Sequence, residues 1–577
     1  MSNYFEDHEE LSQDVLDAME GDQDSVDYFA NVAMAALHVV NEAEFKEVGK
    51  NKSMSDSYRE QGNRAYNSGY LQKSLILYNR ALAYAPIGSL ALKLAYGNRS
   101  AVLFSAELYR ACEKDCSTAL GIDCPTPRNI IEKVRRRKFQ SLAEMRKGDR
   151  LAQHNAKIRR CADEYYKLKN SNSSVPCASD DIDIIIESGM PKVIAKRDIG
   201  PGTVVAVEKS FVSWAPSDYD QYFSCYYCRK LDLNLFPCIG CVAALFCSKE
   251  CEETCLAEYH SIECQIIGNL LQIDNDERWL VTPMIKLRNL CASWEDFVDL
   301  SYDFGKDRMR KDTVNEIFDG NNPKSLLSFN NDRHFKHGTT FQKSYLCALF
   351  LKNLLRLKTY FPQDETGKSS AMKAFARIMM HLSVYGRTTP LILITDVNDS
   401  DSVGAHTNGH RGLFPFIGKL KHCCVPNLQK VTINNTMALL SVKSIKAGTE
   451  LTVTHVFHWL ENELTKNERK MNMYLECHMI CSCFVCTASP KEWKKMNRQA
   501  KISDDLKKAV VKSLNVELSI VLGTPVKTCF EQMYKLMSDL QDVPFSDEYE
   551  VVYKRLGCLH AYVLNKKLNN MVLAEDM

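Results

Sequence analysis

No excess of one charge marks this sequence: 73 lysines and arginines stand against 72 aspartates and glutamates, for a net charge of +1 over 577 residues. Without a global field to gather DNA, RNA or an anionic membrane, direct nucleic-acid binding is not expected. Long apolar runs are lacking too. Nowhere do about 18 uncharged apolar residues follow one another, so no membrane span is expected. The opening MSNYFEDHEE is acidic where a secretory leader would be basic and then apolar. These absences suggest a soluble cytoplasmic protein. Its RRRK run at 135–138 reads either as a nuclear import signal, adding a nuclear population, or as a solvated helix face. Cysteine, by contrast, is abundant. Twenty-three of them in a long chain without a leader suggest metal ligands and reduced thiols rather than disulfides.

At roughly 150 residues per domain, the length calls for several separate cores. Residues 1–56 carry Phe29, Val32, Ala33, Ala36, Leu37 and Val40 at the spacing of a short amphipathic helix. From 57 to 165, small residues (Gly62, Ala65, Ala81; Ala95, Ala101, Ala111) fall where paired helices approach closely, and Tyr66, Tyr70 and Tyr78 fill the space between them. This pattern resembles the tetratricopeptide repeat, a helix pair of about 34 residues, with NIIEKVRRRKFQSLAEMRKGDRLAQHNAKIRR as a third unit. A polar linker occupies 166–182. Strands are then expected in MPKVIAKRDIGPGTVVAVEKSFVSW around its Pro-Gly turn, in LILITDV and in VTINNTMALLSVKSIKAGTELTVTHV. Helical periods fill 265–380 and 490–577.

Cys225, Cys228, Cys238, Cys241, Cys247, Cys251, His260 and Cys264 lie within one short stretch. Each close Cys pair can place two thiolates on one ion through a tight turn, so the stretch holds enough donors for two tetrahedral zinc sites. With the phrase FCSKEC, the spacing resembles the MYND finger. That resemblance implies interleaved ligands: Cys225, Cys228, Cys247 and Cys251 on one ion, Cys238, Cys241, His260 and Cys264 on the other. Cys255 has no place in the pattern. A further set, Cys481, Cys483 and Cys486 in CSCFVC, lacks a fourth ligand, and Cys424 in LKHCCVPN is the expected donor. Three zinc ions are therefore expected.

MPKVIAKRDIGPG, the inserted finger, LKHCCVPN, IKAGTELTVTHV and CSCFVC follow the order of a SET domain interrupted by MYND. The chain resembles the SET and MYND domain-containing family. The resemblance implies a multidomain α+β protein: SET N-terminal part 183–224, finger 225–264, helical insert 265–380, SET core 381–460, post-SET zinc knot 461–489 and C-terminal helical domain 490–577. It also implies a protein-lysine methyltransferase that uses S-adenosylmethionine, with the substrate lysine entering from the opposite side through a tyrosine-lined channel. The side chains at the family's positions differ. Met190 and Lys192 stand where Gly-x-Gly would let the backbone approach the cofactor. Lys421 replaces the cofactor-binding asparagine ahead of His422, and a looser alignment puts Tyr385 at an upstream asparagine. The two channel tyrosines are His455 and Cys477. His455 could still accept a hydrogen bond or a proton near pH 7, whereas Lys421 adds charge beside a site for a cationic sulfonium. Two readings stay open: a lysine methyltransferase of altered active site, and a weak or inactive adaptor.

Tetratricopeptide domains that hold the C-terminal EEVD of heat-shock chaperones grip it with five side chains, matched here by Arg59, Asn63, Asn98, Lys133 and Arg137. Cations and amides are what a pair of carboxylates requires, although a solvated basic face would look the same. The MYND resemblance adds proline-rich peptides to the expected partners, beside protein substrates.

Overall fold

A computed structural model of the chain describes residues 26–38, 40, 48–146, 164–187, 190–215, 221–304, 322–323, 337–385, 388–391, 410–455, 467, 470–471, 481–487, 502–544 and 546–564. The amphipathic helix expected near the start is α1 (Val26–Ala36), with Phe29, Val32, Ala33 and Ala36 buried. It does not join the helices that follow it in sequence.

Those helices form a stack: α2 (Lys52–Asn67), α3 (Leu71–Tyr84), α4 (Leu90–Ser105), α5 (Tyr109–Gly121) and α6 (Arg128–Arg146), each packed on the next. Side-chain caps fix where two of them start, Asn51 accepting from Met54 N at 3.1 Å and Ser89 from Leu92 N at 3.2 Å. The stack begins at Lys52, a few residues ahead of the expected repeat. Gly62 sits where α2 meets α3, and a Cβ there would come within 2.6 Å of the Tyr78 ring. That close approach accounts for the small residue. Leu75, Tyr78, Leu82, Ala95, Tyr96 and Leu103 form the stack's core.

The β-structure comes in small sheets. β1 (Ile182–Glu187) and β2 (Met190–Ala195) form an antiparallel hairpin. β3 (Val204–Lys209) pairs with β11 (Thr436–Ser441), which pairs in turn with β10 (Leu428–Ile433). β4 (Val212–Trp214) lies beside β8 (His410–Leu413), and β8 beside β7 (Thr388–Leu391). In the finger, β5 (Phe236–Pro237) pairs with β6 (Leu245–Phe246). The short strands β9 (Lys421–His422) and β12 (Thr452–Val453) run parallel. Of the expected strand LILITDV only its first residue lies in β7; the remainder falls outside the described residues.

Helix α7 (Lys249–Cys255) lies within the finger and α8 (Ser261–Leu270) begins there, and α9 (Val281–Leu290), α10 (Trp294–Phe304), α11 (His337–Leu355) and α12 (Glu365–Tyr385) follow it. α1 packs on α11 and α12, and the Lys352 ammonium donates to the Val40 carbonyl at 2.5 Å. The C-terminal layer is α13 (Asp504–Ser513), α14 (Val516–Val521), α15 (Val526–Asp539) and α16 (Asp547–Val563). It docks on the Pro-Gly turn, where Gly202 has φ +75° and a Cβ would meet Tyr534 at 2.9 Å. Tyr534 Oη donates to Gln429 Oε1 at 3.3 Å, so His560 Nε2 donates to Tyr534 and His560 Nδ1 accepts from Tyr166. This chain of bonds ties the linker, the sheet and the last helix together. Among the described residues no helix is long and apolar enough to cross a membrane.

Candidate metal centres and active site

The structure gathers the thiols of the finger into two groups, Cys225, Cys228, Cys247 and Cys251 in one and Cys238, Cys241, His260 and Cys264 in the other, with all ligand atoms of each group within 4.8 Å of one another. Local structure places them. Ser248 caps α7 by accepting from Cys251 N at 3.2 Å, which fixes the second thiol of FCSKEC. Between α7 and α8 a π-turn, Leu256–His260, inserts a residue and turns His260 inward. Its Nε2 lies 3.5 Å from Cys241 Sγ, and its Nδ1 meets the buried Glu263 carboxylate at 2.8 Å. A carboxylate behind a ligand imidazole fixes the tautomer that presents Nε2 to a metal. Gly240 is required in its knuckle, because a Cβ would sit 2.7 Å from Cys264 Sγ.

A third group joins Cys424 to Cys481, Cys483 and Cys486, again with the sulfurs within 4.8 Å of one another. Cys424 Sγ lies 3.5 Å from Cys486 Sγ and 4.0 Å from Cys481 Sγ. Thiolates and imidazole in groups of four are the donor sets that suit tetrahedral zinc. Cys255 is buried outside all three groups, as a packing residue.

Two sets of polar contacts tie the finger to the rest of the molecule. On one side, Lys209 from β3 reaches the Tyr227 phenol at 2.6 Å, Tyr227 donates to Glu258 at 2.7 Å, and Glu258 also accepts from Lys286 of α9 at 2.7 Å. On the other, Arg99 of α4 pairs bidentately with Asp115 of α5, both contacts at 2.7 Å, and donates to Asn79 at 2.7 Å and to the Leu235 carbonyl of the finger at 2.8 Å. Asn234 returns a bond to Asp115 at 2.8 Å, and Asn79 donates to the Tyr222 carbonyl at 2.8 Å. Lys50, just before α2, feels the thiols of Cys241, Cys238 and Cys264, although burial sets its amine below the usual range. Its ammonium would offset the negative charge of a zinc ion held by three thiolates and an imidazole. None of these links is signalled in sequence, whereas the Glu263 carboxylate behind His260 is, three residues after it.

LKHCCVPN spans β9 and the turn that follows it. Glu208 of β3 reaches under the preceding turn and accepts from Phe416 N at 2.7 Å and Ile417 N at 2.8 Å. Burial pushes its carboxyl up to about 7 against those two donors, and burial likewise pushes the Lys419 amine down to about 7 against the pull of Glu208. Asn427 braces the parallel pair: it accepts from Thr452 N at 2.8 Å and donates to the Glu450 carbonyl at 2.9 Å. His422 Nδ1 accepts the His455 backbone N–H at 3.1 Å, which leaves its Nε2 facing Cys424 Sγ at 3.5 Å. His455 Nε2 donates to the Leu420 carbonyl at 2.6 Å, so this buried imidazole is tied to the backbone.

Lys421 projects outward and pairs with Glu450 at 3.1 Å. Lys192 lies in β2 and pairs with Glu187 across the hairpin, while Met190 begins the same strand. Tyr385 ends α12 and its side chain is outside the described residues, as is all of Cys477. In the helical stack, Asn98 Nδ2 and Tyr78 Oη both donate to Asn63 Oδ1, at 2.7 and 2.8 Å. Arg137 donates to the Gly97 carbonyl at 2.7 Å and to Ser100 Oγ at 2.8 Å, and Arg59 to Asp56 at 3.2 Å. Arg59 and Arg137 both act on the Tyr78 phenol, whose burial nonetheless pushes it up to about 12. Lys133 is exposed one turn before Arg137.

No protein-family model matches the chain. Protein-lysine N-methyltransferase SMYD4 of Homo sapiens is 22% identical over 551 residues, covering 76% of this chain and 67% of that protein. Its namesake in Gallus gallus is 21% identical over 573 residues, covering 80% and 74%. Histone-lysine N-methyltransferase SMYD3 of Homo sapiens matches a shorter part, 29% identical over 106 residues, or 17% of this chain and 24% of that one. Similarity to proteins named SMYD4 over about three quarters of the chain, with a shorter match to SMYD3, supports the SET and MYND domain-containing family as this chain's relatives.

Proposed function

We propose that this chain is a zinc-stabilised SET and MYND scaffold with weak or lost methyl transfer, and that it works chiefly by binding protein partners. The observation that carries the reading is the bond from His455 Nε2 to the Leu420 carbonyl at 2.6 Å. A tyrosine phenol at this place would be available to orient a substrate amine, whereas this imidazole spends its N–H on the backbone. The residues at the cofactor positions do not fit S-adenosylmethionine. Lys192 and Lys421 are cations held by Glu187 and Glu450, at places where the family uses glycine and asparagine around a cationic sulfonium. Zinc fits all three donor groups, where it would close loops rather than perform chemistry. Isothermal titration of the full chain with S-adenosylmethionine should show no binding at micromolar concentration. Saturable micromolar binding would instead favour the second reading, an active lysine methyltransferase, which the names of the relatives support.

The partner site of this reading is the groove of the helical stack, taken as tetratricopeptide-like. Asn63, Asn98 and Arg137 lie along α2, α4 and α6, with Asn98 donating to Asn63, Arg137 donating to the Gly97 carbonyl next to Asn98, and Lys133 exposed beside them. Cationic and amide donors in one groove suit the two carboxylates at the end of an EEVD peptide. Such a peptide should bind the full chain, and amidating its C-terminus should cost about 2 kcal/mol. Because Arg137 also braces the stack, Lys133→Ala is the cleaner variant and should weaken binding severalfold, while Arg136→Ala, about 100° round the helix, stays near neutral. Equal losses from both substitutions, or no effect of amidation, would leave the basic run as a solvated face. The finger's binding to proline-rich peptides is a further part of this proposal, testable in the same titration format.

A further inference from the structure

Where the finger meets β4 and the approach to α9, the structure encloses a cavity of about 30 Å³, roughly twice the least space a water needs. Arg229 lines it. This residue follows Cys228 in the finger's first knuckle and is only 3% exposed. Its Nε donates to Ser213 Oγ at 3.2 Å and its Nη2 to the Ser213 carbonyl, while the Tyr226 ring lies 5.0 Å from the guanidinium. Nη1 has no partner in the protein, neither a carboxylate nor a thiolate. Charges taken out of water are ordinarily paired, so a buried guanidinium bonded only to neutral oxygens lacks a counter-ion within bonding reach.

The rest of the lining agrees in charge and shape. Arg278 brings a second guanidinium, buried and donating to Gln221 Oε1 at 3.1 Å, and Gln221 Nε2 in turn holds the Ala243 carbonyl of the finger at 2.8 Å. Glu263 is the lining's carboxylate, but its oxygens already accept from Tyr226 Oη and Thr282 Oγ1 and face His260 Nδ1. Among the lining residues two guanidinium groups thus stand against one carboxylate that is fully engaged. Trp214 and Trp279, stacked 4.2 Å apart and nearly parallel, close one wall with apolar surface. We propose that this cavity binds one small monovalent anion, a halide or a carboxylate of similar size, held by Arg229 and Arg278. A guanidinium presents the planar donors that such an anion accepts, and a partly desolvated site strengthens the pairing. Because Arg229 belongs to the finger, Ser213 to β4 and Arg278 to the segment before α9, the anion joins three parts of the chain at one point.

The test uses the full chain loaded with zinc at constant ionic strength, with methanesulfonate as the bulky anion that the cavity is too small to admit. Bromide is the probe, since a heavy halide beside the stacked tryptophans quenches their fluorescence. The expected result is a quenching component that saturates, half complete below about 10 mM, above the linear collisional part. The melting temperature should be about 3 °C higher in about 100 mM chloride than in methanesulfonate. Chloride should relieve the quenching by displacement, and the larger, divalent sulfate should not. Acetate relieving it equally extends the site to carboxylates, whereas acetate without effect restricts it to halides. Arg229→Met keeps the reach of the side chain without its charge and should abolish the saturable component, with zinc content showing that the finger is still folded. Ala215→Val leaves both arginines in place, narrows the cavity that Ala215 lines and should weaken bromide binding about tenfold; it decides the matter if Arg229→Met loses zinc. Strictly linear quenching of the parent, with a melting temperature indifferent to the anion, overturns the proposal, the cavity then holding water only. Saturable quenching that persists unchanged in either variant overturns it as well, by placing the bromide elsewhere.

Discussion

Cys424→Ser should remove one zinc ion per chain and loosen the SET core together with the C-terminal knot. Cys424 comes from the loop after β9, whereas Cys481, Cys483 and Cys486 come from a segment more than fifty residues later, 57 residues in the case of Cys481. The ion would be the cross-link between them. Among the described residues, the cluster around it adds Val425 and Val485 as its other buried hydrophobic residues. Binding free energy at a structural zinc, roughly 10–16 kcal/mol in isolated zinc fingers, is also folding free energy. Loss of one of four ligands should therefore cost several kcal/mol locally, about 4 kcal/mol as a working figure, and lower the melting temperature by roughly 10 °C. Metal analysis should fall from three zinc ions to two. Hydrogen exchange should show protection lost in both 421–427 and 481–487, because each segment needs the other. A variant that keeps three ions and the parent's melting temperature would show that Cys424 is only a packing residue.

The metal groups could be read from the sequence because their chemistry is local. A tight turn brings Cys225 and Cys228 onto one ion whatever surrounds them, so spacing carries the information. Cys424 was legible only through the motif around it, since no spacing rule connects it with residues near 481. The helical stack was legible for a similar reason, as Gly62 and Tyr78 are sixteen residues apart and their complementarity reports on adjacent helices. The path of α1 was not legible. Its apolar face states that it is buried but not against what, and it packs on helices more than three hundred residues away. The active site lay between these cases. That His455 stands at the tyrosine position is what the family resemblance implies from the sequence, but the bond to Leu420 that decides what the imidazole can do depends on the parallel pairing of β9 with β12. Buried ion pairs are the hardest to foresee, because an arginine in a helix reads as surface until its partner is known.

Arg99 is the strongest instance, and it carries the second large effect. Its side chain is fully buried, and the carboxylate of Asp115 more than offsets the cost of burial, holding the guanidinium above its usual range. Arg99→Met should destabilise the protein by about 3–5 kcal/mol, because it leaves Asp115 as a buried charge whose remaining side-chain partner is Asn234. The loss should not stay within the stack. Arg99 also holds the Leu235 carbonyl, and Leu233 of the same loop packs into the stack's core, so the finger should separate from α3–α5 before either unfolds. Hydrogen exchange should therefore rise at 232–236 in the variant even with zinc saturating, which distinguishes undocking from loss of metal. Replacing both partners, Arg99→Met with Asp115→Leu, removes the unpaired charge and should recover more than half of the lost stability, since a buried pair contributes little beyond its apolar equivalent. Chemical denaturation of the two variants beside the parent measures both effects. If Arg99→Met lies within about 1 kcal/mol of the parent, the stack and the finger are joined by packing alone and the ion pair is incidental.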